Sequence, residues 1–172
     1  DISTVSYEEN GDRDPIPYVI PPGIEREINL ATTNLQQLNE QAMVLDICNI
    51  MDGDARAAYK TTAFDIRQYK RLKMFIHAED SDPAQTMKDG DITLFIRLGA
   101  DFTENYYEYE IPLRLTPWYT TDPDLIWPEE NRLDLELQKL VDAKIQRNEA
   151  IENGQLISTF QPFVAWDGER KI

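Results

Sequence analysis

Three consecutive segments alternate apolar and polar residues with period two, and nothing else in the chain constrains its fold as strongly. In 72–78, Leu72, Met74 and Ile76 share one face against Lys73, Phe75 and His77. In 91–98, Ile92, Leu94, Ile96 and Leu98 oppose Thr93, Phe95 and Arg97. In 106–113, Tyr107, Tyr109, Ile111 and Leu113 oppose Tyr106, Glu108, Glu110 and Pro112. Successive side chains of a strand point to opposite faces, so each pattern predicts a strand with one buried face. Residues 43–50 supply a fourth, with Met43, Leu45 and Ile47 against Val44, Asp46 and Cys48. Residues 67–70 and 160–166 are weaker strand candidates. The connections carry turn chemistry: Asp52-Gly53-Asp54, Asp89-Gly90-Asp91, and Gly99 followed by Asp101.

One helix interrupts the pattern. Leu133, Leu137, Leu140, Val141 and Ile145 recur at helical spacing, with polar residues between them. Leu133, Leu135 and Leu137 also fit a short strand, so the helix starts anywhere from Leu133 to Glu136. It ends near 148–154, where Asn153-Gly154 supplies a left-handed stop. Short strands with turns and one late helix predict a mainly β chain, an antiparallel, jelly-roll-like β-sandwich with a principal helix at about 134–150. Phe75 and Phe95 on the outer faces suggest strands covered on both sides. Residues 1–22 carry Pro15, Pro17, Pro21 and Pro22 among Glu8, Glu9, Asp12 and Asp14, and read as an extended lead-in to a domain over 23–172. The chain begins with Asp, and reads as a piece of a longer polypeptide.

Charge narrows the function. Seventeen basic residues against 32 acidic ones give −15, with pI near 4.4. Binding to nucleic-acid phosphates or to an anionic bilayer needs the opposite sign. No apolar run approaches the roughly 18 residues that span a membrane. One histidine, His77, and one cysteine, Cys48, leave little for a zinc site or a hydrolytic triad. His77, beside Glu79 and Asp80, reads as a strand-end histidine bonded to a neighbour rather than a general base. Cys48 reads as a small buried hydrophobe rather than a nucleophile. The acidic groups Asp52/Asp54, Glu79-Asp80-Ser81-Asp82, Asp89/Asp91 and Asp122/Asp124 keep a structural calcium site open. None of them matches the twelve-residue calcium loop. A glycosidase pair among the same carboxylates has no cleft signal beside it. No cofactor is expected.

The aromatics Trp118, Tyr119 and Trp127 are the candidate partner- or sugar-binding residues. They either pin an irregular, proline-flanked stretch to the sandwich or face a ligand. Exposure of the three in one plane would mark a sugar platform, and burial a structural role.

Several long strings resemble a known family. They include Pro21-Pro22-Gly23-Ile24-Glu25-Arg26-Glu27 and Asp52-Gly53-Asp54-Ala55-Arg56-Ala57-Ala58-Tyr59-Lys60. Others are Tyr69-Lys70-Arg71-Leu72-Lys73-Met74-Phe75-Ile76-His77-Ala78-Glu79 and Asn105-Tyr106-Tyr107-Glu108-Tyr109-Glu110-Ile111-Pro112-Leu113. A further one is Ile126-Trp127-Pro128-Glu129-Glu130-Asn131-Arg132. These resemble the SprA/Sov family of cell-surface gliding-motility proteins, over much of 21–148. The resemblance implies a portion of a large outer-membrane protein of Bacteroidetes, the β-barrel translocon of the type IX secretion system. It implies no enzyme activity and no catalytic residues. The expected role is a soluble, non-catalytic module on an aqueous face, at the cell surface or in the periplasm. Its partners would be other parts of the parent barrel, translocon subunits or secreted cargo, and not nucleic acid. The alternative is a carbohydrate-binding module of a cell-surface protein.

Overall fold

The computed structural model describes residues 1–28, 37–62, 65–156, 158 and 160–172. They divide into two compact units, Asp1–Phe64 with Pro117–Ile126, and Asp65–Thr116 with Trp127–Ile172.

The first unit holds β1 (Ile2–Ser6), the one-turn helix α1 (Tyr7–Asn10), β2 (Gln41–Leu45) and the one-turn helix α2 (Pro123–Ile126). β1 and β2 form an antiparallel two-stranded ribbon, with Ile2 opposite Leu45 and Thr4 opposite Met43. Residues 1–22 thus contain a paired strand and a capped helical turn, in which the Ser6 hydroxyl accepts from the Glu9 N–H at 3.3 Å. The prolines follow this turn. Burial is confined to a few residues, among them Ile16, Tyr18 and Ile126, and Tyr18 donates its hydroxyl to Glu40. Burial first, then that carboxylate, raises the Tyr18 phenol well above its ordinary range.

The expected strand over 43–50 is corrected in both extent and phase. It stops at Leu45, and Met43 and Leu45 are exposed while Ala42 and Val44 are half-buried. Alternation says only that two faces differ, and here the smaller side chains take the covered side. Cys48, expected buried, is exposed because it lies beyond the strand.

The second unit holds the three strong patterns. β4 (Thr93–Gly99) and β5 (Tyr106–Pro112) form a seven-pair antiparallel hairpin. Asp101 closes its loop, accepting from the N–H groups of Thr103, Glu104 and Asn105 and from the Asn105 amide. Those donors hold its carboxyl well below the usual range. Gly99 is required there, since a Cβ would lie 2.2 Å from the Asn105 carbonyl oxygen. The short strands β7 (Trp166–Asp167) and β8 (Arg170–Lys171) extend this sheet in the order β4-β5-β8-β7. A second ladder pairs β3 (Arg71–Met74) with β6 (Leu133–Glu136).

Both sheets contribute to one core. Tyr109, Ile111 and Leu113 from β5 and its end meet Leu133 and Leu135 of β6, with Ile76, Ala78 and Leu140 completing it. Leu94, Ile96 and Leu98 pack against them. The chain is therefore mainly β, every ladder is antiparallel, and two sheets share a core in the manner of a sandwich. The jelly-roll order of strands is not among the pairings of the described residues.

The principal helix, α3, spans Gln138–Glu152 and stops where Gly154 adopts φ +69°. Residues 133–136 take the strand option, because Arg71–Met74 offers them a ladder. Starting at Gln138, the helix buries Leu140, Ala143 and Ala150, and leaves the expected core residues Val141 and Ile145 exposed. Residues 67–70, a strand candidate, instead fall on a 3-10 turn over Ile66–Gln68, where the Asp65 carboxylate accepts the Arg67 N–H. The candidate at 160–166 overlaps β7 only at Trp166.

The last hairpin is tied down by ion pairs. Lys139 Nζ on α3 lies 2.6 Å from Asp167 Oδ1, and the Tyr109 hydroxyl donates to Asp167 Oδ2 at 2.9 Å. Lys171 Nζ lies 2.8 Å from Glu110 Oε2. The Lys139 bond first, and the Lys171 bond first, hold Asp167 and Glu110 respectively below their ordinary values of 3.8 and 4.5. A carboxyl with a depressed folded pKa contributes stability above its unfolded value and loses it as pH falls through the folded one. Thermal melts taken from about pH 6 down to about pH 2.5 should show a small loss of stability, since both pairs are partly solvated. Asp167→Asn should flatten its share of that loss. An acid limb unchanged in Asp167→Asn would show that the carboxylate contributes nothing.

Candidate functional site

The three candidate aromatics are placed differently. Trp127 is 9% exposed, within the second unit. Its ring meets Phe75 edge-on at 6.3 Å and His77 at 5.8 Å. Trp118 is half-buried in the first unit and stands at 88° to Tyr119. Tyr119 is 75% exposed, on backbone at φ +63°, and its N–H donates to the Pro15 carbonyl at 2.9 Å. A flat sugar platform needs coplanar exposed faces. Perpendicular rings at Trp118 and Tyr119, and a covered ring at Trp127, do not present one.

His77 sits in a string that sequence spacing did not reveal. Its Nδ1 lies 3.0 Å from the Thr116 hydroxyl, and its Nε2 lies 3.0 Å from Glu79 Oε2. A hydroxyl, an imidazole and a carboxylate in line are the components of a general-base relay. Thr116, however, is only 3% exposed, and its N–H donates to the Ala78 carbonyl at 2.8 Å. A nucleophile must reach a reacting atom, and this oxygen is enclosed. What the string does is join the segment after β3 to the segment after β5. Thr116 lies 39 residues from His77, which is why no local motif announced it.

The acidic groups hold backbone in place. Asp80 accepts the N–H groups of Asp82 and Met87, and Asp82 accepts that of Ala84. Asp89 accepts the Leu115 N–H, Asp91 that of Lys88, and Asp122 that of Asp124. Except for the Asp89 bond, which reaches Leu115 26 residues away, these are bonds of the kind short acidic side chains make to nearby backbone. Among the described residues, no group of three or more His, Cys, Asp and Glu side chains is placed to hold a metal ion.

Two exposed features went unremarked in the sequence. On the outer face of the four-stranded sheet, the register sets Phe95, Glu110, Lys171 and Trp166 in one cross-strand row. Trp166 is 64% exposed, and Arg97 beside the row stacks over both Phe95 and Tyr106 while pairing with Glu108. Its legible signal was Asp167-Gly168, a hairpin turn in which Gly168 takes φ +63°. In the first unit, Ile24, Arg26, Leu38 and Glu40 help to line a groove of about 300 Å³. Arg26 is committed there, to the Leu38 carbonyl and to Glu8, with its guanidinium over the Tyr7 ring.

Among the described residues no helix is long and apolar enough to cross a membrane. No curated protein matches the chain. One family model does, SprA_N, described as a motility related/secretion protein, and it covers residues 1–171. With all but the last residue of the two units inside the matched span, the chain belongs to the SprA_N family of motility-related and secretion proteins.

Proposed function

We propose that this chain is a non-catalytic module of the type IX outer-membrane translocon of Bacteroidetes, and that it supports protein export and gliding through protein contacts. It works on an aqueous face, at the cell surface or in the periplasm. Its partners are other parts of the parent barrel, translocon subunits or passing cargo. The observation that carries this reading is the family match over nearly the whole chain. The enclosed Thr116 hydroxyl supports the non-catalytic part, because the relay around His77 has no exposed nucleophile. The net charge of −15 supports the aqueous setting and a partner surface of opposite sign.

Deleting the module from the full-length parent tests the reading. Export of a reporter cargo should fall severalfold while the barrel is still present at its normal level in the same membranes. Normal export from a normally inserted barrel would remove the required role. The isolated chain should show no hydrolase activity.

A further inference from the structure

We infer that the outer edge of β2 accepts an added strand from a partner, an extended polypeptide segment with alternating apolar residues flanked by lysine or arginine. This deepens the protein-contact reading and rests on it.

Among the described residues, the register leaves this edge without a partner strand. Asp46 N–H donates to the Asp1 carbonyl at 3.0 Å, and Tyr7 N–H donates to the Glu40 carbonyl at 3.0 Å. Hydrogen-bonded pairs alternate along an antiparallel ladder, so residues 40, 42, 44 and 46 face β1. The N–H and C=O groups of Gln41, Met43 and Leu45 therefore point away from β1, and no described residue bonds to them. The far edge of β1 is less available, because the Ser6 N–H is taken by the Asn10 side chain at 2.9 Å.

The edge is also unprotected. Natural edge strands carry lysine, proline, a bulge or an inward charge that discourages pairing. β2 reads Gln-Ala-Met-Val-Leu, with none of these. The residues whose backbone points outward also carry an apolar face: Met43 is 62% exposed, Leu45 38%, and Ile2 across the ribbon 64%. A two-stranded ribbon is marginal in water by itself, and a third strand would satisfy its edge and cover this face.

Charge selects the occupant. The first unit has thirteen acidic residues against four basic ones, −9 of the chain's −15. Four cations cannot neutralise thirteen carboxylates, and Glu40 and Asp46 bracket β2 at its two ends. Both ends of an added strand would thus meet negative potential, while its middle meets Met43 and Leu45. A second copy of this chain would bring a like-charged unit and is disfavoured.

The test uses the full chain and a labelled, end-blocked peptide, Lys-Val-Thr-Val-Thr-Val-Lys, followed by fluorescence anisotropy. Binding is expected to weaken at least about tenfold when glutamate replaces both lysines, and to weaken as salt rises from about 0.05 to about 0.5 M. Met43→Pro removes an N–H that points outward, so the ribbon is kept and peptide binding should fall about tenfold or more. Met43→Lys serves the same purpose should the proline variant misfold, since its side chain is exposed and an edge lysine repels the peptide. No binding, equal binding of the glutamate peptide, or binding unaffected by both variants would overturn the inference. Loss of export on deletion together with an inert β2 edge would reject this surface while leaving the translocon reading intact.

Discussion

Truncating Ile111 to alanine is expected to cost the second unit about 2–5 kcal/mol, enough to remove much of a typical domain's stability. Ile111 is fully buried on β5, opposite Leu94 in the ladder and in one cluster with Leu133 and Leu135. Its side chain lies where the two sheets share their core, so neither sheet can close the space without moving the other. The loss therefore combines lost transfer energy with a persistent cavity. For a unit of this size, each kcal/mol lowers the melting temperature by about 4–8 °C. Val141→Ala on the exposed side of α3 is the matched control, and should stay within about 0.5 kcal/mol. Calorimetry on the two variants checks both values. An Ile111→Ala loss under about 1 kcal/mol would mean that the shared core is not formed as described.

Asn131→Ala should be nearly as damaging, at about 2–4 kcal/mol, for a different reason. Asn131 is 0% exposed and sits at the end of the 3-10 turn Glu129–Asn131. Its Oδ1 accepts the Arg114 N–H at 2.7 Å, and its Nδ2 donates to the Arg114 carbonyl at 2.8 Å. The amide thus behaves as a neighbouring strand would, satisfying both backbone groups of one residue just past β5. Alanine removes a donor and an acceptor together and leaves the partly buried N–H and C=O groups of Arg114 to find other partners. Asn131→Asp provides the diagnostic. It keeps the acceptor, but as a carboxylate it faces the Arg114 carbonyl without a proton to donate. The protonated acid would donate, so the folded state favours the proton and the introduced pKa is raised. Stability relative to the parent chain should then be regained as pH falls towards about 4 and lost as pH rises. A pH-independent difference between Asn131→Asp and the parent would show that the amide proton is not what matters.

The β4–β5 hairpin was legible because everything that specifies it is local. Seven pairs, alternation in phase on both strands, Gly99 at the close approach and Asp101 at the loop all lie within about twenty residues of one another. The end of α3 was legible for the same reason, since a left-handed stop needs only Gly154. The SprA_N kinship was likewise carried by contiguous strings.

The misplacements have a common physical origin. Alternation in β2 and helical spacing in α3 each define two faces, but which face is covered depends on what packs there. β1 supplies that answer for β2 from 35 or more residues away, and the outcome exposes Met43 while half-burying Val44. In α3 the small residues Ala143 and Ala150 allow close approach, and so displace the larger Val141 and Ile145 from the buried side. Leu133–Glu136 reads equally as helix or strand until Arg71–Met74 offers a ladder 60 residues upstream. Trp127 reads as pin or as platform from its sequence, and Phe75 and His77 cover it.

The sequence alone determined the antiparallel β class, the one principal helix, the acidic surface and the family, because these rest on residue type, short-range period and contiguous strings. The tertiary structure decided which faces are buried, that His77 joins Thr116 and Glu79, that Asn131 stands in for a strand, and that the outward backbone groups of β2 bond to no described residue. Those are outcomes of pairing between distant segments, where the free energy is set by burial and hydrogen bonding that no short window of residues contains.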